Sequence, residues 1–288
     1  MCNLWYTVVR KVRDMWTIVL IGIMLGMLEF TVTRKNFGVL WNGFGALVGS
    51  YRRTGGAPMR YRVLFPYLLV PLFKRTKSAQ MQNAIYQAAK TAFLVLSLVL
   101  MYNGYGLVSA LTLAVLVAAT FQFDYWDCYV ELAAIIGLLT LAPAPALLLF
   151  VLLALARPEV VPFALPMYVI ACVTRWEANW LVAFASVIPV FLVKAVETWQ
   201  GVAPLYCPRL EVLNNNPKDV LAIWKQLDAH IVISAGLVVF GLLALLKSPP
   251  IEMAIIPLFW IPSGVIFGRV TEPRVFMPLA ILIAWGIS

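Results

Sequence analysis

Apolar runs separated by short polar or proline-rich breaks organise this chain. The first run extends from Trp16 to about Val32 and is long enough for one membrane-spanning helix. Polar and basic residues follow, and within them Phe37, Leu40, Trp41, Phe44 and Leu47 recur at three- and four-residue intervals. That spacing predicts an interfacial helix over Phe37 to Val48, ended by the turn Thr54-Gly55-Gly56-Ala57-Pro58. Val63 to Phe73 is apolar but holds Pro66 and Pro71, which predicts a short, broken or re-entrant helix. Further spans are expected over Ala84 to Met101 and Leu107 to Gln122, separated by Asn103-Gly104-Tyr105-Gly106.

From Tyr129 to Lys194 the apolar character is nearly continuous, and five prolines cut it into pieces near 129–142, 146–156, 162–174 and 178–194. Residues 197–228 form the longest polar stretch, with a short amphipathic helix expected after Pro217. Spans at about 231–246, 251–267 and 275–287 complete the pattern. The pattern as a whole predicts an all-α polytopic membrane protein, a single transmembrane domain over 1–288 with about eight to eleven transmembrane or re-entrant helices. No internal repeat is visible, so a transporter of two symmetry-related halves has no support.

Composition agrees with this picture. The 288 residues are 62% apolar and 12% charged, against about 45–50% and 25% for soluble domains. Such a chain lacks the polar surface to cover its own core in water, and neither a disordered segment nor a nucleic-acid module has this composition. Cys2, Cys128, Cys172 and Cys207 form no C-x-x-C pair and read as small core residues. The basic residues Arg10, Lys11 and Arg13 before the first run place residues 1–14 in the cytoplasm, and the absence of a small-residue cleavage pattern makes that run a retained span.

Charge changes the picture more. Of the net +9, ten positive residues lie between Arg34 and Lys90 with no acid among them, in the segment 34–62 and just beyond. With the N-terminus inside, residues 34–62 face outward against the positive-inside tendency; the inverted topology is the alternative. Arg60 and Arg62 precede the proline-broken helix, where guanidinium forks at headgroup depth suit a phosphate or bulk anionic lipid. Arg175 and Glu177 stand two apart at the edge of an apolar piece, so on a helix they diverge and each needs another partner. Asp124, Asp127 and Glu131 are a weak candidate set for a divalent cation, although acids at a helix start suit its dipole equally well. Otherwise no cofactor is expected. His230, the lone histidine, reads as interfacial. The chain contains no G-x-S-x-G, H-E-x-x-H or phosphate-binding loop.

Three polar motifs carry a resemblance. Pro58-Met59-Arg60-Tyr61-Arg62-Val63-Leu64-Phe65-Pro66 resembles the P-[FY]-R-Y-R-[VI]-L-x-P segment of multi-spanning bacterial proteins related to the GT-C glycosyltransferases. Thr174-Arg175-Trp176-Glu177 stands where those proteins show N-R-E-T, and Glu272-Pro273-Arg274-Val275-Phe276 resembles their late E-x-R-[IVW]-[FW] element. The resemblance implies a GT-C-like core in a bacterial inner membrane, with an extracytoplasmic cavity for a polyprenyl-phosphate sugar. Arg60, Arg62, Arg175 and Arg274 would hold the phosphate, and a carboxylate would act as general base. This chain departs from the pattern where the base is expected, because residues 34–62 hold no acid. Glu29, Glu177 or Glu272 would have to substitute. Three readings therefore stand: sugar transfer from a polyprenyl-phosphate donor; a non-catalytic scaffold or lipid-binding subunit of a larger membrane complex, contacting anionic or polyprenyl lipids and protein partners; and a small transporter.

Overall fold

The computed structural model describes residues 2–35, 62–76, 78–120, 128–177, 180–201, 229–267 and 276–288. Among these, regular structure is entirely helical: α1 Cys2–Lys35, α2 Leu64–Lys74, α3 Ala79–Ala118, α4 Cys128–Thr140, α5 Pro143–Ala156, α6 Val161–Thr174, α7 Trp180–Ala185, α8 Ile188–Gln200, α9 Ala229–Ala244, α10 Ile251–Ala254, α11 Ile256–Phe267 and α12 Leu279–Ile287. The interfacial helix expected over 37–48, the turn at 54–58 and the amphipathic helix after Pro217 lie outside the described residues.

Two helical stretches are long and apolar enough to cross a membrane, Thr7–Val32 and Gln80–Ala118. A third is available if α5 and α6, bent by 118° at their junction, count as one broken span. The shorter apolar helices follow the proline cuts closely. Pro143 and Pro145 sit in the first turn of α5, where a missing N–H costs nothing. Pro158 opens a 3-10 turn over Pro158–Val160 that turns the chain into α6. The piece expected over 178–194 is divided into α7 and α8 around Ser186 and Val187, and α8 runs on to Gln200, taking Glu197 out of the expected loop. The run 251–267 is likewise split into α10 and α11 at Ile255.

The break expected at 103–106 is present as a kink without a loop. Within Ala79–Ala118 two helical halves meet at Gly106, whose φ of 89° and ψ of −178° are not helical. This dihedral pair is open to glycine and unfavourable for side chains. The two spans expected over 84–101 and 107–122 thus follow one another directly, α3 being helical up to the kink on both sides.

Antiparallel packing of α1 on α3 is set by small residues. Ile18, Gly22, Gly26 and Glu29 form the buried stripe of α1, while Trp16, Leu20, Met24, Met27 and Leu28 point outward. A Cβ on Gly26 would lie 2.1 Å from Thr91 Oγ1, and one on Gly22 would lie 2.7 Å from Val95 Cγ2. The missing side chains let the two backbones approach, the usual device of helices that cannot use hydrophobic exclusion to associate. The register this fixes places residue 29 beside residues 87 and 90.

Helix α4 is buried on every side from Cys128 to Leu139, as a helix apolar all round must be. It packs against α3 and α5, and α12, buried over Leu279 to Ala284, lies against α3 and α9. Cys128 and Cys172 are buried thiols in this core, as expected of them. The outer surfaces of α1, α3 and α9 remain strongly apolar, with Val115, Phe240 and Leu246 among the exposed residues.

Candidate functional site

The buried charges Glu29, Arg62, Lys90, Glu131 and Glu252 gather at two levels, one at each end of α4. At the first level, Glu29 near the end of α1 is 1% exposed and Lys90, a third of the way along α3, is fully buried. Lys90 Nζ donates to Glu29 Oε1 at 2.8 Å, and Tyr129 Oη donates to the same oxygen at 3.1 Å. Gln87 Nε2 donates to Glu29 Oε2 at 2.8 Å and to the carbonyl of Gly26 at 3.0 Å. The Lys90 ammonium also lies 5.4 Å from the centre of the Tyr86 ring and 5.9 Å from that of Tyr129, within range of a cation–π attraction. An isolated charge here would be very costly; a pair with its remaining valences filled is tolerated.

The opposite face of the α4 start carries a longer chain of charges. Glu131 Oε2 accepts from Arg157 Nη1, and Glu131 Oε1 accepts from the indole N–H of Trp260 at 2.6 Å. Arg157 Nε reaches Glu159 Oε1 at 3.5 Å, and that oxygen also accepts from Arg62 Nη2. Two arginines and two glutamates thus alternate and cancel, joining the segment that leads into α2, the first turn of α4, the α5–α6 junction and α11. The backbone adds a tie in the same place, Val63 N–H to the Leu155 carbonyl at 2.8 Å.

The second level lies at the far end of α4, about 12 Å away at 1.5 Å per residue from Glu131 to Leu139. There Arg175, which caps α6, donates from Nη1 to the Leu138 carbonyl. The Trp176 indole N–H donates to the Leu141 carbonyl at 3.3 Å. These two bonds fill carbonyls that the end of α4 leaves without intrahelical partners. Trp176 is buried against Tyr168, ring centres 5.2 Å apart, so it is a core residue. Thr174 Oγ1 is bonded to the buried Glu252 at the start of α10.

The sequence candidates are therefore distributed as follows. Glu29 and Arg62 lie at the first level, in two separate clusters on either side of α4, and Arg175 lies at the second. Glu177 is exposed in a left-handed turn at φ 52°, past the end of α6, so the helical spacing considered for it and Arg175 does not apply. Glu131 does occupy a first helical turn, but a guanidinium and an indole hold it. No group of three metal-binding side chains is found among the described residues. Arg60, Asp124, Asp127, Glu272 and Arg274 lie outside the described residues, and so do Cys207 and the side chain of His230.

Sequence reasoning counted Lys90 only as one of ten cations and passed over Gln87, Tyr129, Arg157, Glu159, Glu252 and Trp260. A usable signal existed. Glu29 is the sole charged residue between Asp14 and Arg34, and Lys90 the sole one between Lys77 and Asp124. Two solitary opposite charges in successive apolar helices are an argument for a pair.

These features define the chain as an all-α protein whose long apolar helices are tied together by buried charge pairs. Comparison with family models, curated proteins and solved structures finds no match in any of the three. The GT-C resemblance thus rests on its three short motifs.

Proposed function

We propose that this chain is a polytopic protein of a bacterial plasma membrane with a GT-C-like core, acting as a non-catalytic, lipid-contacting subunit of a larger membrane assembly. One observation carries the reading: each carboxylate buried among the described helices is already engaged. Glu29 is held by Lys90, Glu131 by Arg157, Glu197 by Lys194 and Glu252 by Thr174. A general base must be able to reach and accept a substrate proton, and Glu29 has its oxygens filled by an ammonium, a phenol and an amide. The candidate arginines are similarly occupied, Arg62 by Glu159 and Arg175 by a backbone carbonyl.

Support for contact with anionic lipid comes from charge bookkeeping. Ten basic residues lie between Arg34 and Lys90 with no acid in that stretch, and two of them, Arg62 and Lys90, pair with carboxylates from outside it. Basic residues next to apolar spans are drawn to anionic headgroups at about 1 kcal/mol each.

Purified protein in vesicles, offered a polyprenyl-phosphate sugar and candidate acceptors, tests the proposal. No transfer is expected, and the protein should co-purify with stable membrane partners. Sugar transfer that disappears in Glu29→Gln while the variant stays folded would contradict it and restore the glycosyltransferase reading.

A further inference from the structure

Beside the Glu29–Lys90 pair, α1 and α3 leave a groove of about 590 Å³ between them. Its size is that of a small-molecule site. Ile23 and Met27 form one wall, and Ala84, Ala88 and Ala92, one turn apart on α3, form the other. All five are exposed, so the groove opens on the outer side of the bundle. None of the described lining residues carries a charge, and the neighbouring Glu29 and Lys90 cancel each other. Small residues alone would only mark a close helix approach. Gln87, which also lines the groove, adds something different. It is 6% exposed, and both amide hydrogens are spent on α1, one on Glu29 and one on the Gly26 carbonyl. Its Oε1 is buried with no hydrogen-bond partner among the described residues. The two acceptors fix which end of the amide is nitrogen, so the orphan is an acceptor waiting for a donor. Leaving such a group buried and unmade is costly.

Length and depth narrow the occupant. On α3 the lining runs from Ala84 to Val95, about 16 Å at 1.5 Å per residue, roughly half of the 30 Å hydrocarbon core. At one end Ala84 and Phe30 lie within about one turn of Gln80 and Val32, where the two apolar spans begin and stop. The groove is therefore one leaflet deep. Gln87 lies less than a turn in from Ala84, which sets the acceptor near the membrane surface and leaves the apolar trough running inward from it. A spanning partner helix would need a trough about twice as long. The acyl chains of bulk lipid would fill the trough but bring no donor to Gln87.

We infer that the α1–α3 groove seats a neutral, single-chain amphiphile headed by a hydroxyl, a long-chain alcohol in chemical class. The hydroxyl donates to Gln87 Oε1, and the chain lies along Ala88 and Ala92 toward the membrane centre. The inference rests on the membrane reading above, since the ligand must reach the groove from the bilayer.

Photolabelling of the full chain in vesicles tests the assignment, using a diazirine analogue of 1-dodecanol whose adducts are mapped by mass spectrometry. Adducts are expected on the groove faces of α1 and α3, one per chain. Unlabelled 1-dodecanol should compete, its methyl ether about fivefold more weakly, the worth of one hydrogen bond. Dodecyl phosphate should compete no better than the alcohol. Ala88→Phe, at an exposed wall position, should lose the groove adducts while keeping the wild-type melting temperature. Equal competition by the ether overturns the assignment without relying on any variant, and so does tighter binding of dodecyl phosphate. Cross-linking of Ala88→Cys to a second copy or to a partner helix overturns it as well. Failure of the membrane reading is seen separately: alkaline carbonate would then release the chain from membranes, whereas a chain that resists extraction yet takes no groove adduct refutes the groove alone.

Discussion

Arg157 is the residue on which the larger charge cluster depends, because its side chain is bonded to both Glu131 and Glu159. Replacing it by leucine removes the guanidinium that faces Glu131, a carboxylate almost fully buried. Removing one member of a buried pair typically costs about 3–5 kcal/mol, and thermal unfolding of Arg157→Leu in detergent should show a loss of that size. Arg62→Leu should cost less, since Glu159 keeps Arg157. Equal losses would mean that the four charges do not form an alternating chain. At this scale much was legible in the sequence. Glu131 is the sole charge between Asp127 and Arg157, and Glu252 the sole one between Lys247 and Arg269, so each had to find a partner inside. Which partner was not legible, because the pairing crosses elements up to 129 residues apart, as Trp260 and Glu131 do.

Among the elements, the α1–α3 pair is the most tightly specified. Gly26→Val should destabilise the protein by about 1–3 kcal/mol, the usual range for overpacking, because its first side-chain carbon already falls 2.1 Å from Thr91. Reducing Thr91 to alanine in the same chain should return part of that loss, since the clash is with the threonine side chain. Gly106 gives the opposite case. Nothing lies within 4 Å of a Cβ built there, yet its φ of 89° is unfavourable for alanine. Gly106→Ala should therefore cost about 1 kcal/mol through the backbone alone, and calorimetry of the two variants separates the two mechanisms. Prolines announced the breaks around α5, α6 and α8 correctly because proline acts locally on its own dihedrals and hydrogen bonds. The kink of α3 at Gly106 was announced by the polar residues 103–106, but the absence of a loop there was hidden, because polar residues report where a loop is permitted and not whether packing on α4 keeps the flanking residues helical. Tyr105 and Gly104 are both held against that neighbour, the first through its hydroxyl to the Leu139 carbonyl at 3.4 Å and the second through close approach to Thr140.

For the whole molecule, the apolar composition and the outward apolar faces of α1, α3 and α9 argue for a lipid solvent, in which every polar group must be satisfied internally. The protein should accordingly stay with the membrane fraction after alkaline carbonate extraction; appearance in the supernatant would contradict that. Of the ten positive residues between Arg34 and Lys90, Arg62 and Lys90 belong to internal ties. The central claim is that the buried charges hold the helices together and carry out no chemistry, and a double-mutant cycle on Glu29 and Lys90 tests it most directly. In detergent, Glu29→Gln and Lys90→Met should each lower stability by about 3–5 kcal/mol, and combining them should recover most of the loss, because no uncompensated charge then remains. A double variant no more stable than either single one, or a Glu29→Gln protein of unchanged stability that has lost a measurable sugar transfer, would contradict the account.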